Sequence, residues 1–207
     1  EVFACAFEQC SKPIYETILM EIRLPRVILA LLAGFSLAAA GALMQNVTRN
    51  PLADPYLFGI IAGAGLGATI AGLMPEAIQS VTMPIAAFVG SLVAVSIVVL
   101  VVMGNNWRRV EHLLLAGVAV SFLLSAITSF ILYFGEAFAT NRVIFWLMGS
   151  LARADLEALM WIAPVTITGC LVALLYARQL DALLLSDESA RTLGVNVNKV
   201  RILALTI

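Results

Sequence analysis

Charged residues are scarce in this chain. Asp, Glu, Lys and Arg make up 12% of the 207 residues, whereas an ordinary soluble domain contains about 25%. The formal net charge of −1 excludes a basic surface that would attract nucleic acid. The apolar fraction of 62% is too high for a disordered chain. The composition therefore predicts a membrane protein.

The residues that carry most enzyme and metal chemistry are also few. The single histidine, His112, lies beside Glu111 and has no partner at metal-ligand spacing. Neither lysine follows a glycine, so the phosphate loop of nucleotide-binding proteins is absent. Cys5 and Cys10 form a small disulfide loop or stay free thiols, and Cys170 suits a small core position. We predict no catalytic residue and no metal site, and hence no enzyme.

Long charge-free runs dominate the remainder. All charged residues fall outside five stretches, at 27–48, 55–75, 77–107, 113–135 and 158–177. About 20 uncharged residues cross a bilayer as a helix, so each stretch is long enough. We predict an all-α, polytopic transmembrane helical bundle with spans at 27–48, 56–75, 82–103, 113–135 and 157–177. The third span is expected to begin near Met83-Pro84.

The segments between the spans complete this plan for a single transmembrane domain, 1–207. Residues 1–26 precede the first span, 178–199 form a polar connection, and 200–207 begin a sixth helix. Because the chain starts with Glu and stops within that helix, we expect part of a longer polypeptide. A short helix on the membrane surface is predicted at 142–151. Lys and Arg are modestly more frequent on the side of 49–54, 104–112 and 178–201, which is therefore predicted to be cytoplasmic.

Small and hydroxyl residues recur at four-residue spacing within the spans. Stripes of Ala or Gly predict faces where helix backbones approach closely, because lipid provides no hydrophobic drive between helices. They are Ala30, Gly34 and Ala38, and Gly59, Gly63, Gly67 and Ala71. Ser121, Ser125 and Ser129 form a third stripe, and Gln45 ends the first span. These polar side chains line a passage or bond to backbone carbonyls, two interpretations that the sequence leaves open.

Several motifs occur together in a fixed order. They are Arg-Leu-Pro-Arg at 23–26, Gly-Ala-Leu-Met-Gln at 41–45, Arg-Asn-Pro-Leu-Ala-Asp-Pro at 49–55, Leu-Ala-Gly-Val-Ala at 115–119, Trp-Leu-Met-Gly-Ser at 146–150 and Ser-Ala-Arg-Thr-Leu-Gly at 189–194. In this order and spacing the chain resembles permease subunits of FecCD/BtuC-type ABC importers, which take up iron-siderophores, haem and cobalamin. The resemblance implies a type II importer permease of about ten spans that works as a homodimer, with an earlier helix and later ones outside this sequence.

The resemblance also implies roles for individual residues. Arg23 and Arg26 match arginines that dock a periplasmic substrate-binding protein, although arginines near helix ends often only reach for the interface. Asn50 and Leu52 match a gate at the cytoplasmic mouth, where a plain turn is the alternative. A cytoplasmic helix that couples to the ATPase subunit is matched by Ser186, Asp187, Glu188, Ser189, Ala190, Arg191, Leu193 and Gly194.

Local chemistry supports a short helix at this last segment. Ser186 suits the N-cap, Asp187 and Glu188 suit the positive end of the helix dipole, and Gly194 suits a left-handed C-cap. By the resemblance, ATP and Mg²⁺ bind the partner ATPase, and this subunit holds no cofactor. The implied location is the bacterial inner membrane. The competing hypotheses are a secondary carrier or channel that works without ATP and an intramembrane enzyme, which the missing catalytic groups disfavour.

Overall fold

The computed structural model describes residues 13–103, 110–152 and 156–207, and within these ranges the chain contains no strand. The Cys5 and Cys10 predictions lie outside the described residues. The helices, in chain order, are α1 Pro13–Thr17, a π-helical turn Ile18–Arg23, α2 Leu24–Thr48, a 3₁₀ turn Pro55–Phe58, α3 Ile60–Gly72, α4 Glu76–Met103, α5 Val110–Phe134, α6 Ala137–Leu147, α7 Leu156–Leu175, α8 Ala177–Ala182, α9 Asp187–Thr192 and α10 Val197–Thr206.

Three helical segments in the described part are long and apolar enough to cross a membrane. They are Ile14–Thr48, Val81–Met103 and Val110–Phe134, with mean hydropathies of 2.3, 2.9 and 2.2. Most of their large side chains are exposed, including Leu31, Leu100 and Phe122. Exposing apolar area to water costs about 25 cal/mol per Å², whereas lipid removes this cost. Shorter apolar helices occupy Ile60–Gly72 and Leu159–Leu175.

The chain divides into two compact units. The first contains residues up to 39 together with 150–175. Within it, the Ser36 hydroxyl donates to the Thr166 hydroxyl at 3.2 Å, joining the first half of α2 to α7. Hydrogen bonds between hydroxyls are a common link between helices in lipid, where dispersion and polar contacts replace the hydrophobic effect.

The second unit contains residues 40–149 and 176–207. Its closest contact is the crossing of α3 and α4, where glycines lie face to face. A Cβ added to Gly63 would lie 2.4 Å from the Gly90 carbonyl oxygen, and one added to Gly67 would lie 2.0 Å from the Ala86 carbonyl oxygen. Only glycine permits this backbone approach. The packing face predicted at Gly63 and Gly67 is therefore present, whereas a Cβ at Gly34 has no neighbour within 4 Å.

Helix limits differ from the predicted spans in three places. The segment expected to precede the membrane is helical from Pro13 onward. The predicted span 56–75 is interrupted at Gly59, whose φ of 78° ends the 3₁₀ turn before α3 begins. The third predicted span corresponds to α4. This helix begins at Glu76 and contains Pro84 in its interior, whereas the sequence predicted that it begins near Pro84. Proline is tolerated inside helices of membrane proteins because neighbouring groups satisfy the freed carbonyl.

The predicted surface helix at 142–151 is also displaced. The helix in this connection is α6, and it runs from Ala137 to Leu147. Gly149 has a φ of 75° and donates its amide to the Trp146 carbonyl at 3.0 Å, which closes the helix before residue 150. A left-handed glycine is a frequent helix terminator, because its backbone pays no Cβ penalty in that conformation.

Candidate functional site

The predicted gate residues lie in a tight turn directly after α2. The Asn50 side chain accepts a hydrogen bond from the Leu52 amide at 3.0 Å, and its carbonyl accepts one from the Ala53 amide at 3.1 Å. The Leu52 side chain is 85% exposed. The segment 49–54, which we call the gate loop, is therefore a stiff turn that projects one apolar side chain. Its gating role remains a prediction.

Arg49 begins the gate loop in an unfavourable backbone conformation. Its φ is 51°, and no other non-glycine residue in the described ranges has a positive φ. The left-handed region costs an L-residue about 1–2 kcal/mol. In this conformation the Arg49 Nε donates to the carbonyl oxygen of Leu183, and its Nη2 pairs with the Asp187 carboxylate. The strained residue thus connects the gate loop to the segment that carries α9.

Asp187 stands at the centre of an ion triad formed by Arg49, Asp187 and Arg201. The Arg201 Nη1 donates to Asp187 Oδ2 at 3.1 Å and its Nη2 donates to Oδ1 at 2.9 Å. This two-pronged geometry is the strong form of a carboxylate–guanidinium pair. The Arg201 side chain is 2% exposed, so the second cation of the triad is buried.

The two arginines also fix the protonation state of Asp187. Its partial burial acts to raise the pKa, but the hydrogen bonds and positive charges of Arg49 and Arg201 outweigh it and hold the pKa below the ordinary 3.8. The carboxylate is charged at neutral pH. Beyond its expected place in the first turn of α9, Asp187 is therefore the anion that holds two cations from other segments together.

Helix α9 is capped at both ends as the sequence predicts. The Ser186 Oγ accepts from the Ser189 amide at 3.1 Å. At the other end Gly194, with φ 80°, donates to the Arg191 carbonyl at 2.9 Å, and the Val195 amide donates to the Ala190 carbonyl at 3.1 Å. These two bonds form a Schellman motif. The helix is closed by its own residues and can move as one body.

The residues predicted to couple to an ATPase subunit divide between two faces of this capped helix. Ala190 is fully buried, and Asp187 is partly buried in the triad. The Leu193 side chain is 67% exposed. The other members are exposed as well: Ser186, Glu188, Ser189, Arg191 and Gly194. The outer face is the part available to a partner, whereas Asp187 and Ala190 attach the helix to its own chain.

The two arginines predicted to dock a binding protein differ in their surroundings. Arg26 donates its Nε to the Leu151 carbonyl and its Nη2 to the Ala152 carbonyl, each at 3.1 Å. Its guanidinium therefore already has two backbone acceptors in the first unit. Arg23 lies in the π-helical turn and is exposed. The docking role of both stays a prediction, with Arg23 as the more accessible cation.

The predicted passage-lining residues differ in their surroundings. The Ser121 hydroxyl donates to the Gly117 carbonyl at 2.8 Å, one turn back on α5, as a packing hydroxyl does. Ser125, Ser129 and Gln45 are exposed. Their role as passage lining remains a prediction.

Three arginines that were not among the predicted site residues organise the second unit. Arg49 and Arg201 belong to the triad, and Arg142 donates to the Gln79 side chain at 3.1 Å. The Gln79 amide in turn donates to the Gly72 carbonyl at 3.0 Å, at the end of α3. Arg201 had a visible signal, since it is a lone charge inside the apolar segment 200–207. An arginine in such a segment requires a partner.

Comparison with known proteins identifies the family. The model of the FecCD transport family matches residues 1–207. The chain belongs to this family. Relatives of this chain are named as transport permeases, and its apolar helices agree with a multi-pass protein of the inner membrane. The predicted all-α, polytopic transmembrane bundle is confirmed.

Individual relatives are similar over most of this chain. The cobalamin import system permease protein BtuC of Halobacterium salinarum is 39% identical over 195 residues, covering 93% of this chain and 52% of the relative. The hemin transport system permease protein HmuU of Yersinia pestis is 38% identical over 193 residues, covering 90% and 58%. The chain thus spans somewhat more than half the length of these relatives.

A solved structure supports the fold as well. An inward-facing metal-chelate type ABC transporter has a TM-score of 0.87 with this chain at 26% identity. The similarity covers 95% of this chain and 62% of that one. The chain therefore shares its fold with an ABC transporter.

Proposed function

We propose that this FecCD-family chain belongs to the permease subunit of an ATP-driven importer. The subunit passes a metal chelate from a periplasmic binding protein to the cytoplasm. A separate ATPase subunit binds and hydrolyses ATP with Mg²⁺, and two copies of the permease enclose the passage. The cargo class follows from the relatives, one named for cobalamin import and another for hemin transport.

One structural observation carries the ATP-driven part of this proposal. Helix α9 is closed at both ends by its own residues and presents an exposed polar outer face with Leu193 at its end. A short, self-capped helix suits transmission, because a domain that binds its outer face moves it without unravelling it. Its inner face is fixed to the chain through Asp187 and Ala190.

The central parts of the membrane-crossing segments lack the ionisable residues that an ion-coupled carrier would use. Val81–Met103 contains no Asp, Glu, Lys, Arg or His. Val110–Phe134 has only Glu111 and His112, in its first turn, and the ionisable residues of Ile14–Thr48 all precede Val27. Ion-coupled carriers generally place such groups within their spans, where they bind the coupling ion. The energy for transport is therefore assigned to a partner subunit.

Reconstitution tests the proposal directly. The full-length permease is placed in liposomes with its ATPase subunit and binding protein, and uptake of a ferric siderophore, hemin or cobalamin is measured. We expect uptake of one of these chelates only when ATP, Mg²⁺ and the binding protein are all present. Liposomes with the permease alone are the control. Uptake of the same chelate by the permease alone would show an ATP-independent carrier or channel.

Single substitutions test the two partner surfaces. Leu193→Asp places a charge on the outer face of α9 and is expected to weaken ATPase binding, whereas Leu184→Asp makes the same change at another exposed leucine outside that face. Arg23→Glu is expected to weaken binding-protein association in a salt-dependent manner, because exposed charge pairs are screened by ions. An unchanged affinity in either variant would remove the corresponding surface from the proposal.

A further inference from the structure

The ion triad connects three parts of the second unit that are distant in sequence. Arg49 belongs to the gate loop, Asp187 is the first residue of α9, and Arg201 lies on α10. Arg49 and Asp187 are 138 positions apart. The carboxylate is the shared partner, because Arg201 Nη2 and Arg49 Nη2 both contact its Oδ1 atom.

The backbone of the gate loop depends on the same contact. Arg49 adopts φ 51°, although an arginine gains nothing from the left-handed region by itself. Strain of this kind persists where the surrounding structure holds it. Here its side chain reaches two acceptors, the Leu183 carbonyl before α9 and the Asp187 carboxylate within it. The direction in which the gate loop leaves α2 is therefore set by the position of α9.

The remaining contacts make this connection rigid at both ends. The gate loop is closed by the Asn50 bonds to Leu52 and Ala53, so movement of Arg49 carries the exposed Leu52 side chain with it. Helix α9 is closed by its caps. Asp187 alone among the residues of α9 bonds by its side chain to the gate loop within the described ranges.

We propose that Asp187 is the positioning residue that transmits movement of α9 to the gate loop, through its shared ion pairs with Arg49 and Arg201. The inference rests on the proposed function, since it assigns a path within the permease from the ATPase-binding helix to the gate. Arg201 anchors the carboxylate on the buried side, and Arg49 carries the displacement to Asn50 and Leu52. Loss of the carboxylate charge removes the link between the gate loop and α9 itself and leaves only the bond from Arg49 to the Leu183 carbonyl before α9, while the outer face of α9 stays intact.

The first test measures coupling in the reconstituted full-length complex. The variants are Asp187→Asn, Arg49→Gln and the double variant, with Asp181→Asn as a matched carboxylate-to-amide control on the exposed side of α8. We expect each single variant to raise the ATP hydrolysed per chelate transported by about tenfold, since a hydrogen bond to a charged group contributes at least about that factor. The double variant is expected to fall well short of the product of the two single effects, because both changes break the same Arg49–Asp187 contact.

Two outcomes overturn this inference while the proposed function stands. One is a normal ratio in Asp187→Asn within a complex whose wild-type form shows ATP-dependent uptake. The other is a double variant whose effect equals the product of the single effects. Uptake by the wild-type permease without its ATPase would instead refute the proposed function, and with it the assignment to Asp187.

A second test reads the connection without transport. Spin labels are attached through Leu52→Cys and Thr192→Cys in full-length permease whose native cysteines are replaced. The two sites are exposed, one on the gate loop and one on α9. We expect a narrow distribution of label distances with Asp187 present and a broad one in Asp187→Asn, while thermal unfolding confirms that the variant is folded. An equally narrow distribution in Asp187→Asn would refute the connection.

Discussion

Replacing Gly67 with alanine tests the closest helix contact in the second unit. The added Cβ would lie 2.0 Å from the Ala86 carbonyl oxygen and 2.6 Å from its carbonyl carbon. Real Cβ contacts are essentially never under 3.0 Å, so α3 and α4 must separate locally by at least about 1 Å. The obstructing atoms belong to the backbone. For this reason a compensating Ala86→Gly substitution is not expected to rescue the variant.

The size of the effect follows from two opposing contributions. Forcing extra volume into a packed contact costs about 1–3 kcal/mol, and a gap of 0.5–1 Å forfeits about a quarter to a half of each dispersion contact. Alanine recovers up to about 1 kcal/mol of helix propensity relative to glycine. We therefore expect Gly67→Ala to lower the free energy of unfolding by about 2 kcal/mol, with a fall in Tm of about 4–8 °C.

The assay is thermal unfolding of the purified permease in detergent, followed by tryptophan fluorescence. Gly65→Ala is the matched control, because it lies on the same helix and its Cβ would meet only Leu147 Cδ2 at an ordinary 3.7 Å. We expect this control to be as stable as the wild type or slightly more stable. If Gly67→Ala unfolds at the same temperature as Gly65→Ala, the close crossing of α3 and α4 is not what holds this unit together.

Three further predictions concern the capped helix, the triad and the first unit. Ser186→Ala removes the N-cap and should speed hydrogen exchange of the Ser189 amide, with a local cost of about 1 kcal/mol; unchanged exchange would contradict the cap. Because the pKa of Asp187 is lowered in the folded state, its contribution to stability is complete above pH 3.8 and is lost as the pH falls through the lowered value. Below pH 5 the free energy of unfolding should therefore fall less steeply with pH in Asp187→Asn than in the wild type. Identical pH curves for the two proteins would refute the ion pairs of Asp187. Arg26→Gln should accelerate exchange at 150–152 by loosening the carbonyls that it binds, whereas Arg23→Gln, at an exposed position, should not.

The sequence predicted local features of the site well, and the reason is physical. A cap joins residues three or four positions apart, so Ser186 and Gly194 carry their own signal. The turn after α2 is likewise contained in Asn50 and its neighbours. The triad could not be predicted in this way, since its members lie on three segments and their meeting depends on packing.

The small-residue stripes show the same limit. Gly34 and Gly67 occur in stripes with the same four-residue spacing, and both were predicted to pack closely. The structure brings Gly67 against the backbone of α4, but it places nothing within 4 Å of a Cβ at Gly34. Spacing defines which face of a helix is small. It contains no information on which neighbour meets that face.

The sequence by itself determined that this protein lies in a lipid bilayer and that its secondary structure is helical. Its charge-free runs exceed the length needed to cross lipid, and helix is the state that satisfies the backbone of such a run there. The tertiary structure decided which polar residues organise the candidate site. Asp187 gains its two cations, and Arg26 its two carbonyls, only when segments distant in the chain come together. Composition and periodicity belong to one helix at a time, whereas a shared ion pair belongs to the packing of several.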